Sequence, residues 1–255
     1  MMNRTIQRAV KILDIISKHK EGLTLKDITS LVNIPKSSAF DILQTLLSEK
    51  FIESSRYNTK LYVLGSKAFT VGIRYVNDLD LISIASPYID SLTDELEITG
   101  FIAKLDGNEI IYLYKHEGLN CKLATCSIGT RAGIYYTSLG KAILAFHEQH
   151  VQENLINQMD FQTLTSRTIA SKDAFYKNLQ LTKQRGYSCE DRESEEHRIC
   201  FGAPIFDYTG KVIAAISVSD LYDPNFSYEE IGPRVKKAAL QISRRLGYVP
   251  TPIFC

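Results

Sequence analysis

Apolar residues recur every three to four positions in three successive stretches near the N-terminus. Ile6, Ala9, Val10, Ile12, Leu13 and Ile16 set one apolar side on a helix predicted over residues 5–18, which ends before Glu21-Gly22. Thr24, followed three residues later by Asp27, has the form of a capping box opening a short helix through Val32. A connection containing Asn33 leads to a third helix starting at Pro35, whose missing N–H and fixed φ suit a first helical turn. On that helix Phe40, Ile42, Leu43, Leu46 and Leu47 form the predicted buried stripe. Ser37, Asp41, Gln44, Thr45 and Ser48 form the opposite face, short and polar enough to lie in a major groove. Two helices across a short turn are the helix-turn-helix pattern. Strands at 51–54 and 61–64, around a turn from Arg56 to Lys60, would add a wing whose two cations meet phosphates.

Residues 65–76 mix apolar positions with Lys67 and Arg74 and read as a semi-rigid helical strut. An amphipathic helix follows over 81–96, and from Thr99 the period falls to two. TGFIAKL, the Asp106-Gly107 turn and EIIYLYK then make a hairpin. A third strand is expected at 122–127, leading to Gly129 and Gly133, and at 135–142 strand chemistry turns into a helix running to about His147. Helices at 151–157 and 171–185 precede a strand at 187–190, an acidic loop from Glu190 to Glu196, and strands at 200–206 and 211–219 joined by Asp207-Tyr208-Thr209-Gly210. Ser227 with Glu230 would cap a last helix ending near Leu246-Gly247. The expected fold class is α+β. A winged helix-turn-helix domain (1–64) is joined by a helical linker (65–77) to a larger domain with a mostly antiparallel sheet (78–250).

Charge sharpens this picture. Residues 1–75 hold twelve Lys and Arg against six Asp and Glu, a balance of +6, while the remainder holds eighteen against twenty-three, or −5. The overall +1 hides a basic head on an acidic body, an asymmetry that points to nucleic acid at the head. The N-terminus lacks a signal-peptide apolar core, and the longest uncharged apolar run, 212–219, is far too short to cross a bilayer, so a cytoplasmic location is expected. Five cysteines without a CxxC pair or ligand-spaced histidines predict neither a disulfide framework nor a metal site, and no cofactor is expected.

These stretches closely resemble the IclR family of bacterial transcription regulators, from about Arg4 to Val249. RAVKILDII, GLTLKDI, IPKSSAFDILQTL and YVLG resemble its winged helix-turn-helix. GTRAGIYYTSLGKAILA, RGYSCEDRESEE and ICFGAPIFDYTGKVIAAISVS resemble its GAF-like effector-binding domain. The resemblance implies a homodimer or homotetramer, more often a repressor, whose second domain senses a small organic or sugar acid. Ser37, Ser38, Gln44 and Thr45 would read base edges of a double-stranded operator, and Lys36, Lys50, Arg56 and Lys60 would contact phosphates. Two departures stand out. Asp41 replaces a frequent Arg, and its carboxylate cannot pair with phosphate or guanine but can accept from cytosine N4, and Glu196-His197 replaces a frequent Pro-Gly.

A helix beginning at Thr137-Ser138-Leu139-Gly140 offers its first N–H groups to an anion. By motif, Ser138 and Leu139 would hold a carboxylate, Cys200, Ser217 and Ser219 would face the same cavity, and Glu190 would sit at its rim. Ser217 and Ser219 alternate with Val218 and so share a strand face. The competing reading is an enzyme using Cys200, with His197 as base, or the acidic loop. On an extended segment their odd spacing points Cys200 and His197 apart.

Overall fold

Asn3 starts the first helix by accepting the N–H groups of Thr5 and Ile6 on its side-chain oxygen, at 3.0 and 3.2 Å. In this computed structural model, which describes residues 2–77, 80–119, 121 and 126–250, the chain divides into two compact units, Met1–Asp78 and Leu79–Cys255.

The first unit runs α1 (Arg4–Ser17), β1 (Leu23–Thr24), α2 (Leu25–Val32), α3 (Lys36–Ser48), β2 (Ile52–Ser54), β3 (Leu61–Leu64) and α4 (Ser66–Asn77). The capping box is present: Thr24 Oγ1 accepts from the Asp27 N–H, and the Asp27 carboxylate accepts from the Thr24 N–H at 3.0 Å. Asn33, at φ +54°, ends α2 in the left-handed region that Asn tolerates, and so sets the turn into α3. Pro35 is the N-cap of α3 rather than its first helical residue. Ile12, Ile16, Ile28, Leu43 and Ile52 are fully enclosed between the three helices and the hairpin. Short β1 pairs with β3, adding a third strand to the expected two. Three apolar positions assigned to the core lie outside it: Ile6 and Val10 on α1 are 63% and 59% exposed, and Phe40 on α3 is 47% exposed. The apolar arcs of both helices are wider than the contact a three-helix core can offer.

The second unit runs α5 (Asp80–Leu96), β4 (Thr99–Asp106), β5 (Glu109–Glu117), β6 (Arg131–Gly133), α6 (Ser138–Ala145), α7 (Gln149–Gln158), α8 (Lys172–Arg185), β7 (Ser188–Asp191), β8 (Arg198–Phe206), β9 (Val212–Leu221) and α9 (Ile231–Arg245). One antiparallel sheet of order β6-β5-β4-β9-β8-β7 has α5 and α9 on one face, packed through Ile89, Val235 and Ile242 onto Ile102, Ala203 and Ile216. The other face carries α6, whose Leu139, Ala142 and Ile143 meet Phe101, Ala103 and Ala215. The back of α6 packs on α7 and α8 through Leu144, Ala145, Leu155, Phe175 and Leu179. Strand alternation therefore sends odd positions of β4 and β9 toward α6 and even positions toward α5 and α9.

Several boundaries differ from expectation. Of the strand expected at 122–127, residues 122–125 lie outside the described residues and Cys126 and Ser127 belong to no strand; β6 is the edge. Helix α6 stops at Ala145, short of His147. Glu230, not Ser227, is the N-cap of α9, and it makes no side-chain cap bond. Strand β8 begins at Arg198, two residues earlier than its apolar run suggests.

Replacing Thr24 by Ala removes one side of the capping box and should weaken α2 by about 1 kcal/mol. The expected readout is roughly fivefold faster amide exchange across residues 25–32, with the exchange of α5–α9 unchanged.

Candidate functional site

On α3, Ser37, Asp41, Gln44 and Ser48 fall at helical spacing on one exposed stripe with Thr45 beside them. The Thr45 and Ser48 hydroxyls donate to the Asp41 and Thr45 carbonyls, at 3.0 and 2.8 Å, leaving their oxygens as acceptors. Ser38 is placed differently. It is half-buried, and its hydroxyl accepts from Arg8 Nη1 at 3.1 Å, so it braces α1 against α3 instead of standing on the exposed stripe. Lys36 is exposed at the start of α3, and Lys50, at φ +60°, turns the chain just past its end. Arg56 and Lys60 stand exposed at the β2–β3 tip on either side of fully exposed Tyr57.

In the second unit, Thr137 caps α6: its hydroxyl accepts from the Gly140 N–H at 3.1 Å and donates to the Gly133 carbonyl at 2.8 Å. The next two N–H groups, of Ser138 and Leu139, meet no acceptor among the described residues. The helix start is pressed onto β8 at Gly202, where a Cβ would lie 2.7 Å from the Ser138 carbonyl oxygen. Ser188 Oγ donates to that same oxygen at 2.6 Å. Beneath the helix start, Glu190, Cys200 and Ser219 are direct neighbours across β7, β8 and β9, and Cys200 Sγ lies 3.2 Å from Ser219 Oγ. Ser138, Leu139, Glu190, Cys200, Ser217 and Ser219 all line one small cavity.

Wall residues that were not anticipated include Phe101, Tyr112 and Arg198. Phe101 pairs in register with Ser217 and meets the Tyr112 ring edge-on at 5.2 Å between centroids. Both had read as ordinary hairpin residues, and only knowledge that β4 pairs with β9 would have brought them to the serines.

The acidic loop is not a solvated run. Glu190 is 1% exposed, and its Oε1 accepts from the N–H groups of Glu193 and Ser194 at 2.6 and 3.0 Å; it is a buried tether and not a rim residue. Glu193 is buried as well. Its carboxylate takes the ammonium of Lys141, a fully enclosed lysine on α6 that also donates to the Cys189 carbonyl at 3.2 Å. Burial pushes the Glu193 carboxyl above its ordinary range while Lys141 pulls it down. Burial, reinforced by the Glu190 carboxylate, holds the Cys200 thiol well above its usual range. Tyr112 is likewise raised by burial. Cys200 is thus a neutral thiol, and exposed His197 lies before the strand with its ring 3.4 Å from Glu195. With its thiol held neutral and His197 away from it, Cys200 lacks the arrangement of an activated thiolate nucleophile. Among the described residues no group of three or more His, Cys, Asp or Glu is placed to hold a metal ion, and no helix is long and apolar enough to cross a membrane.

A winged helix-turn-helix followed by a larger α+β unit is the architecture of a DNA-binding transcriptional regulator. The IclR helix-turn-helix domain matches residues 5–56, and the bacterial transcriptional regulator IclR C-terminal domain matches residues 73–244. The chain belongs to the IclR family, whose members are DNA-binding transcriptional regulators and not enzymes. It is 29% identical to HTH-type transcriptional regulator XynR of Escherichia coli, over 96% of this chain and 98% of that one. The IclR structure from Thermotoga maritima superposes with a TM-score of 0.78 at 28% identity, covering 96% of this chain and 99% of its own. An IclR homologue from Microbacterium hydrocarbonoxydans, solved with 4-hydroxybenzoate, shares the fold at a TM-score of 0.84 and 20% identity, covering 95% of this chain and 98% of its own.

The Lys141–Glu193 pair yields a stability prediction. Lys141→Ala leaves a buried carboxylate without its cation and should cost about 3–5 kcal/mol, whereas Lys141→Met with Glu193→Leu should cost much less. Urea denaturation of the two variants distinguishes these outcomes.

Proposed function

We propose that this chain is a cytoplasmic repressor that occupies its operator as a homodimer or homotetramer and leaves it when a small carboxylate-bearing metabolite enters the cavity. The observation that carries this reading is the convergence of two unused N–H groups at the start of α6 with Cys200, Ser217 and Ser219 around one enclosed space. The helix dipole and free N–H groups favour a carboxylate there. The hydroxyls and the thiol supply neutral partners for the rest of the ligand. The 4-hydroxybenzoate bound by the Microbacterium homologue is itself a carboxylate.

At the head, two copies of α3 enter successive major grooves of a pseudo-palindromic site. Ser37, Asp41, Gln44 and Thr45 face the bases, and Lys36, Lys50, Arg56 and Lys60 meet phosphates. Exposed Ile6 and Val10 lie one turn apart on α1, and their burial against a second copy fits the assembly. The ligand acts only to the extent that it prefers the arrangement of heads that does not fit the operator.

Lys36→Ala combined with Arg56→Ala removes two phosphate contacts. The slope of log affinity against log salt should fall by about 2 on any duplex, as read by fluorescence anisotropy; an unchanged slope would reject this placement of the helix and wing. Separately, Ser217→Ala with Ser219→Ala should abolish most of the ligand-dependent release from DNA while leaving the affinity of the unliganded protein within about twofold. Release at the wild-type ligand concentration would remove both serines from the site.

A further inference from the structure

Among the described residues of the cavity wall, Arg198 is the cation and Glu190 the anion. The two differ in how far they are satisfied. Glu190 already accepts two backbone N–H groups through Oε1. The Nε of Arg198, by contrast, is buried and has no hydrogen-bond partner among the described residues, although its Nη2 reaches Glu195 Oε1 at 2.7 Å. A buried guanidinium N–H without an acceptor is costly and marks a position where an acceptor belongs.

Register fixes where that acceptor would sit. Arg198, Cys200 and Gly202 alternate on β8 and share the face toward α6, and Gly202 lies directly under the carbonyl of Ser138. Four residues of strand separate the two ends, about 13 Å between Cα atoms. The N–H groups of α6 therefore stand at one end of the cavity and the Arg198 guanidinium enters from the other, with Cys200 midway.

We infer that Arg198 selects a ligand with a second anionic group at the end opposite the first carboxylate: an unbranched diacid of about four to six carbons. This rests on the carboxylate reading of the cavity proposed above. Glu195, on the half-exposed loop between β7 and β8, is the resting counter-ion of Arg198, and the distal carboxylate of the ligand takes its place. A planar, permanently charged fork suits that exchange, because it can take both oxygens of the incoming carboxylate at once.

The test is calorimetric titration of the full-length protein with succinate, glutarate and adipate and with the monoacids of matching length. Wild type should bind at least one diacid ten or more times tighter than its monoacid. R198Q should lose that preference, and R198K should keep part of it. E195Q, which removes the competitor and does not touch the cavity wall, should bind the same diacid several-fold tighter. Equal binding of diacid and monoacid by wild type, or a preference that survives in R198Q, would overturn the inference while leaving the carboxylate reading intact. If R198Q does not fold, unchanged diacid affinity in E195Q overturns it instead. A wild-type protein that binds none of these acids would overturn this inference, and one that also fails to bind 4-hydroxybenzoate and other small carboxylates would fail the carboxylate reading itself.

Discussion

The second unit depends on how closely the start of α6 can approach β8. Gly202 has no side chain to hold the helix away, Ser188 ties the Ser138 carbonyl down, and Thr137 fastens the turn before the helix. This contact brings the free N–H groups of the helix over a strand face that would otherwise be solvent-facing or filled by larger side chains. A methyl group at position 202 would push the helix back and open the cavity roof, so the backbone approach, more than any wall residue, sets the shape of the site.

The same helix carries the strongest buried charge interaction. Lys141 lies one turn after Ser138 and reaches the carboxylate of Glu193 in the β7–β8 loop. That pair and the Glu190 tether hold a loop of six mostly charged residues, 192–197, against the body, close to Arg198. A buried ion pair of this kind contributes little net stability but imposes one arrangement, since every alternative leaves a charge unpaired in a low-dielectric interior. Helix, loop and cavity wall thus form one mechanical group, and a change at Arg198 reaches α6 through hydrogen bonds already in place.

The head follows a different logic. Its core is small, built from eight buried aliphatic residues, and gains definition from local devices: Asn3 and Thr24 at helix starts, Asn33 and Lys50 in left-handed turns. Apolar residues left outside that core, Ile6 and Val10 on α1 and Phe40 on α3, stay exposed.

Periodicity and end signals in the sequence determined the helix-turn-helix, the hairpins, the order of elements and the charge division between head and body, because each depends on residues within a few positions of one another. The six predicted cavity residues were legible through the resemblance and through the alternation of Ser217 and Ser219. Sequence alone did not separate the exposed part of an apolar arc from its buried part, as Ile6 and Phe40 show. It also placed Glu190 at the rim of the cavity and gave Glu193 no partner, because the burial of a carboxylate depends on partners supplied by other elements. Arg198 was passed over for the same reason: a cation beside an apolar run looks like the end of a strand, and only the pairing of β8 with β9 and the covering helix α6 turn it into a cavity wall. What tertiary structure decided was which side chains share a low-dielectric space, a property of contacts between distant segments that no local pattern encodes.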